Sequence, residues 1–522
     1  MGFPANPAIM NRRLAVNIAS PTRSLLSPPR RVALGIVLVT MIAYALSFSG
    51  LFLFDDTGAI TDNPTIRHLW PPGPVLSPPT NGTPVSGRPL VNLSFALNYA
   101  LSGEAVGSYH ALNLGIHLLA VLTLFGVVRR TLLLPFIAAR WRERSLEIAG
   151  AVAALWAVHP LQTESVTYLS QRAEALMGLF YLLTLYAFIR GAAEKAGGWL
   201  ILSAAACLAG MASKEVMISA PLIVLLYDRT FMAGSFREAL AIRPKYYFAL
   251  AATWILLAYE MMHVGNRGGA VGMGLKIDSW HYALTQFHAI VLYLGLSLWP
   301  HPLIFDYGTT LVPGFGAVWP EALLVAALLC ATGFLLWKRS ALGFLGAWFF
   351  AILAPTSSFV PLAKQTLAEH RMYLSLAAVL VLVVLGVELL FGRCRLAVLA
   401  VLVVASVALT LQRNGEYLNG VTIWTGALAH YPDNPRALID LGNAYVQSGR
   451  PEMGAAEFRA AIRLDPTLPE AHNNLGVVEA NEGHLAQAEA EYREALRLLP
   501  GWEKAQRNLT ELEAGRKASP AK

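Results

Sequence analysis

The sequence predicts an all-α protein: a polytopic membrane helix bundle of about 11 crossings, then a short helical-repeat domain. Three observations predict it. Of 522 residues, 55% are hydrophobic and only 14% charged, where a soluble chain carries about 25% charged residues. Apolar runs of ~20 residues recur until the last fifth of the chain, each long enough to cross a ~30 Å hydrocarbon core, and such crossings are helical because lipid offers backbone groups no partners. From Asn419 onward, charged and Ala-rich segments with a 34-residue period replace the apolar runs. The net charge of +7 is not a nucleic-acid footprint, because the basic residues gather at the ends of apolar runs as cytoplasmic loops require; no nucleic-acid partner is expected. Cys207, Cys330 and Cys394 lie in or beside apolar runs and show neither metal spacing nor a disulfide framework.

The elements follow in order. Residues 1–31 are rich in Pro and Ser, hold Arg12, Arg13, Arg23, Arg30 and Arg31 and no acid, and read as a disordered basic cytoplasmic segment. The membrane domain is 32–413. Its first run, 32–54, is too long for a cleaved signal and acts as an anchor, so the loop beyond it faces outward. Outward loops are expected at 54–108, 159–172, 213–215, 263–318 and 355–371. The first opens on Asp55-Asp56, passes through a Pro/Gly/Asn-dense stretch and reaches 89–103. There Leu90, Leu93, Leu97 and Leu101 recur at helical spacing while Asn92 and Asn98 keep another face polar, as in a helix lying in the interface. The run 109–128 crosses inward and ends at Arg129, Arg130, Arg140, Arg142 and Arg144. Further crossings are expected near 146–158, 174–190, 199–212, 216–228, 246–262, 319–337, 341–354, 372–391 and 396–412. If 281–299 also crossed, Lys338, Arg339, Arg393 and Arg395 would land outside. With His281, Gln286 and His288 it is read as re-entrant or interfacial, giving eleven crossings; a crossing here would make twelve.

The region 414–515 carries the tetratricopeptide (TPR) pattern. Leu441-Gly442 returns as Leu475-Gly476, Gly454 as Ala488, Phe458 as Tyr492, Ala461 as Ala495 and Pro466 as Pro500. Full repeats fall near 435–468 and 469–502. Trp424, Ala427 and Pro432 mark a partial repeat before them, 501–515 caps them, and 516–522 is a tail.

Polar clusters in the outward loops are the candidate site. Asp55 and Asp56 suit a general base that deprotonates an acceptor hydroxyl, or a metal ligand; they equally suit a helix cap or a turn. The loop from His159 through Glu164 to Arg172 is an unusual polar cluster between two spans, although Glu164 and Arg172 can simply neutralise each other. Lys214-Glu215 offers a cation for a lipid phosphate, or a snorkelling side chain. The loop with Lys364, Glu369, His370 and Arg371 holds the best phosphate candidate, Arg371, because arginine grips phosphate bidentately; interfacial anchoring is its plainer reading. These four clusters fall on one side under eleven crossings. A carboxylate plus several cations beside lipid suits group transfer from a phosphate-linked lipid.

Taken in order, Asp55-Asp56, Arg88-Pro89-Leu90, Tyr109-His110 with Asn113 and His117, His159-Pro160 with Thr163-Glu164, Arg172-Ala173-Glu174, Ser213-Lys214-Glu215 and Glu369-His370-Arg371 with Tyr373 resemble the transmembrane-and-TPR O-mannosyltransferase (TMTC) family over about residues 33–515. The family belongs to the GT-C glycosyltransferases. The resemblance implies inverting transfer of a sugar, mannose in characterised relatives, from a polyprenyl- or dolichyl-phosphate donor to a protein Ser/Thr hydroxyl on the extracytoplasmic face. It implies Asp55 or Asp56 as base, Glu164 orienting a cation or the acceptor, and Arg172, Lys214, His370 and Arg371 at the donor phosphate. Arg88, His159, Glu215 and Glu369 are further candidates. No cofactor is called for; a divalent cation stays open, because the superfamily divides on metal. The expected partners are the lipid-linked sugar, membrane lipid, and a protein acceptor or partner at the TPRs. The 31-residue Arg/Pro N-terminal segment and the compact length suggest a bacterial relative in an inner membrane rather than the endoplasmic reticulum. Two other readings stand: a GT-C enzyme modifying a glycan or lipid, and a non-catalytic membrane-anchored TPR scaffold.

Overall fold

A computed structural model describes residues 27–265, 278–362 and 365–518. Most of the basic N-terminal segment, Lys364, part of the 263–318 loop and the last residues of the tail lie outside the described residues. Helices occupy the expected apolar runs: α1 Pro28–Ala43, α2 Pro89–Ser102, α3 Val106–Leu132, α4 Ser145–Val158, α5 Arg172–Glu194, α6 Gly197–Met211, α7 Ala220–Phe231, α8 Pro244–Val264, α9 Ser279–Leu298, α10 Trp319–Trp337, α11 Ala341–Leu353, α12 Met372–Leu390 and α13 Arg395–Glu416. Six stretches among the described residues are long and apolar enough to cross a membrane, built on α3, α5, α8, α10, α12 and α13. Eleven crossings also require α1, the shorter α4, α6 and α11, and α7, which turns by 105° into the short helix Phe236–Ile242.

The centre of the bundle is α4, packed by α1, α3, α12 and α13. Trp156 on it donates to the Tyr373 carbonyl at 2.8 Å. Its 14 residues span about 21 Å, short of a ~30 Å core. The irregular chain that follows, 159–171, is accordingly buried throughout, the condition under which non-helical backbone is tolerated at membrane depth.

Two segments refine the sequence reading. In α2 the asparagines face protein: Asn92 is buried and bonded to Asn63, Thr65 and the Val75 carbonyl, while Leu97 and Leu101 are 45% and 85% exposed. A helix at a lipid interface turns its apolar face outward in this way. The helix α9 is continuous, so 281–299 contains no re-entrant break. Tyr282 donates to the Thr356 carbonyl, Gln286 to the Thr366 carbonyl, the Ala368 N–H to Tyr293, and His159 Nε2 to the Ser297 carbonyl. Contacts with the loops 159–171 and 355–371 thus extend along about 22 Å of its length.

The tail follows α13 as α14 Gly420–His430, α15 Pro435–Gln447, α16 Pro451–Leu464, α17 Pro469–Asn481, α18 Leu485–Leu498 and α19 Glu503–Ala518, in the register the repeats predict. A Cβ on Gly442 would meet the Phe458 ring at 2.5 Å, and one on Gly476 the Tyr492 ring at 2.8 Å. That closeness explains the paired Gly and aromatic positions. The tail is packed against the outward loops. Phe305 stacks edgewise on Tyr168, Tyr417 and Trp424, and Tyr307 on Tyr431.

Candidate active site

The first outward loop turns its two carboxylates in opposite directions. Phe54 takes a left-handed conformation, φ 46°, uncommon for a bulky residue and held only where its surroundings impose it. Here the Leu53 N–H donates to Asp56 Oδ2 at 3.0 Å, and the Asp55 N–H to the Tyr168 hydroxyl at 3.1 Å. Asp56 is fully buried and also accepts from the N–H and hydroxyl of Ser170. Asp55 lines a cavity.

The cavity joins four of the expected outward loops. Besides Asp55, it is lined by Arg88, Lys214, Glu215, His370 and Arg371, together with Gln171, Gln365 and Thr356. Arg88 is held by Glu215 at 3.2 Å and by the Pro84 carbonyl at 2.8 Å. Lys214 is paired with buried Glu174. Arg371 is different. Only 4% exposed, it donates to neutral oxygens alone: the Gln365 carbonyl at 2.6 Å, the Thr366 carbonyl at 3.0 Å and Gln286 Oε1 at 3.4 Å. No carboxylate among the described residues forms an ion pair with it. The cavity thus holds a buried, unneutralised guanidinium on the same surface as Asp55.

Several candidates stand behind this wall. Glu164 and Arg172 do not neutralise each other. Glu164 accepts from the N–H of His370 at 2.8 Å and from its Nδ1 at 2.7 Å. Burial pushes Glu164 up to about 7, against the pull of the His370 N–H and of Arg413, Lys214 and Arg371. Arg172 is 0% exposed and donates to Asn113, Ser94 and the Tyr109 carbonyl. That leaves it no face toward a phosphate. Glu369 accepts from the Ile304 N–H and the Tyr307 hydroxyl. His159 joins its own loop to α9, with Nδ1 accepting from the Leu161 N–H. Burial likewise raises Asp56 to about 7, against the hydrogen bonds it accepts.

One wall residue comes from the tail. Arg436, at the start of α15, lines the cavity, stands 5.2 Å over the Phe54 ring and binds Asp306 bidentately, Nε to Oδ2 at 2.7 Å. Sequence reasoning missed it, since nothing in a repeat helix ties it to a distant loop. Gln286 was noted only for its polarity, yet it orients Arg371.

Three potential metal ligands converge, among the described residues, only at Glu479, Glu482 and His484 on the repeats. The cavity's own carboxylates do not form such a set, as Glu215 is engaged by Arg88.

Fold and cavity together define a class: a multi-pass helical membrane protein with a cation-lined cavity among the loops at one end of its bundle and TPR helices packed beside it. A family model described as a tetratricopeptide repeat matches residues 408–469 and 439–501. The chain is 28% identical over 332 residues to protein O-mannosyl-transferase Tmtc1 of Drosophila melanogaster, covering 58% of this chain and 37% of that protein. It is 23% identical over 456 residues to a protein O-mannosyl-transferase of Caenorhabditis elegans, covering 83% and 62%. It therefore spans less than two thirds of the length of either relative. Among solved structures, ArnT from Cupriavidus metallidurans bound to undecaprenyl phosphate aligns with a TM-score of 0.43 at 14% identity, over 95% of this chain and 89% of that one. The chain is thus similar in sequence to proteins named as protein O-mannosyl-transferases.

Proposed function

We propose that the protein transfers a sugar, mannose by analogy with the names of its relatives, from a polyprenyl-phosphate-linked donor to a Ser or Thr hydroxyl of a protein at the outward membrane face. The observation that carries this reading is the pairing, in one cavity, of the Asp55 carboxylate with the unneutralised Arg371. In the proposed step Asp55 accepts the hydroxyl proton as the hydroxyl oxygen bonds to the anomeric carbon, inverting it. The bond from that carbon to the phosphate oxygen breaks, and its electron pair leaves with the lipid phosphate. The phosphate gains a negative charge, which Arg371 and Lys214 stabilise in a water-poor setting where fixed cations act strongly. Glu164 holds His370 in place beside them.

The test is transfer by the purified protein in nanodiscs, with radiolabelled polyprenyl-phosphate-mannose and a Ser/Thr-rich peptide. Label should reach the peptide with wild type and not with Asp55→Asn at unchanged thermal stability. Equal transfer by both would remove Asp55 as base. Label appearing on lipid or glycan but never on peptide would replace the acceptor class.

A further inference from the structure

At the end of the bundle away from the Asp55 cavity, the helices leave an apolar gap. There α3 packs on α4 and α5, α7 on α11, and α12 on α4 and α11. The last turns of α3 are left facing α11 and α12 across a second cavity, of about 150 Å³. One wall is aromatic: the Phe344 ring lies 5.5 Å from Tyr227, 5.2 Å from Phe231 and 6.2 Å from Trp348, centroid to centroid. The polar side chains in the lining are Thr131 and Tyr227, and both hydroxyl donors are used. Thr131 donates to the Val127 carbonyl at 2.8 Å, and Tyr227 to Thr131 at 2.8 Å. Water needs two or more polar partners to occupy a cavity, so this one admits hydrocarbon only. Leu342 at its edge is 47% exposed, which opens the gap to the surrounding lipid.

Charge at the mouth selects among lipids. Arg129 adjoins Val128 of the lining, Arg229 lies between Tyr227 and Phe231, and Arg339 is two residues from Ala341. Arg229 donates to the Leu336 carbonyl at 2.9 Å, joining the end of α7 to the end of α10. Arg129 Nε is buried without a hydrogen-bond partner. Acids at this end are taken by other cations: Glu194 by Arg130 and Arg190, Glu388 by Arg144 and Arg395, Asp228 by Arg243. Among the described residues, Arg129, Arg229 and Arg339 form no ion pair. A slot for hydrocarbon with unneutralised guanidinium groups at its mouth matches a lipid with an anionic head, whose phosphate suits arginine. We propose that the gap binds one anionic phospholipid of the leaflet that meets this end, with an acyl chain between α3, α11 and α12 and its phosphate among Arg129, Arg229 and Arg339. Along α12, Val381 and Leu385 of the lining lie about 15–21 Å from Arg371. The site is therefore separate from the Asp55 cavity and independent of the transferase reading.

The test is native mass spectrometry of the full chain, delipidated in detergent and titrated with dioleoyl phosphatidylglycerol or dioleoyl phosphatidylcholine, beside melting temperature in the same samples. Wild type retains one phosphatidylglycerol per chain, about tenfold more tightly than phosphatidylcholine, and its melting temperature rises as phosphatidylglycerol is added. Leu342→Trp fills the gap from its exposed edge and Ala378→Leu from inside; each removes both the retained lipid and the rise. Arg129→Gln combined with Arg339→Gln keeps a retained lipid and loses the preference for phosphatidylglycerol. Unchanged phosphatidylglycerol retention in both filling variants, where they are folded and monodisperse, overturns the site. Equal retention of the two lipids by wild type overturns the anionic head. Displacement of phosphatidylglycerol by equimolar polyprenyl phosphate overturns the phospholipid and gives the gap to a polyprenyl chain.

Discussion

Two layers of charge meet among the loops around the cavity, and they differ in whether they reach it. In the rear layer Asp56, Glu164, Arg172 and Glu369 are buried, and each is bound by fixed groups of the protein, chiefly backbone N–H and C=O. In the front layer Asp55 and Arg371 line a cavity; Arg371, like Arg172, is hydrogen-bonded to neutral oxygens, but it stands on the cavity wall. Ionisable residues in the loops of a membrane protein are thus of two kinds: those that hold loop backbone in place where regular structure is absent, and those the held backbone presents to a ligand.

The sharpest way to break this comparison is the neighbouring pair. Asp55→Asn is expected to lower transfer by about 10²–10⁴-fold, the usual contribution of a general base, with no change in melting temperature. Asp56→Ala is expected to do the opposite first: it leaves buried donors on Leu53 and Ser170 without an acceptor, destabilising the fold by about 1–3 kcal/mol. Thermal unfolding in detergent beside initial rates separates the two, and a stable, active Asp56 variant would dissolve the layer distinction. Next, Arg371→Gln is expected to lose about 10²–10³-fold, in the range of a lost charge-stabilising donor, and to lose inhibition by free polyprenyl phosphate. Arg172→Gln is expected to keep that inhibition where the variant folds. A smaller effect follows from Arg436→Met. Breaking the Asp306 pair unseats the tail, and about a tenfold rise in KM for peptide is expected, with kcat nearly kept, since 1.4 kcal/mol is one decade. The smallest concerns pH. Glu164 is held by burial above its ordinary value, at about 7. It is more protonated folded than unfolded, so stability falls as pH rises from about 4.5 toward 7. Melting temperature should decline across that window, and Glu164→Gln should flatten the decline.

What the sequence made legible follows the same division. The TPR register was readable residue by residue, because Gly442 with Phe458 and Gly476 with Tyr492 are close-packing requirements that leave a periodic trace. The helical runs were readable because lipid admits little else. The gathering of Lys214, His370 and Arg371 near Asp55 was readable from topology, which put their loops on one side. Which of Asp55 and Asp56 faces the cavity was not, because that depends on the backbone of Phe54 and on Ser170, 114 positions away. The burial of Arg172 was equally hidden, since its partners are carbonyl oxygens that every residue carries. Arg436 was illegible for a third reason: its partner Asp306 lies in a loop without a pattern, 130 residues away.

The seating of the tail has a consequence for the products. Phe305 between Tyr168 and Trp424, and Asp306 on Arg436, bolt the first repeat to the loops around the cavity. A polypeptide gripped by the repeats would then be measured as well as bound. Glycosylated hydroxyls would fall at a constant count of residues from the gripped stretch, and mapping them on a long acceptor would show a phase. Adding repeats at the far end would lengthen the grip and leave that count unchanged.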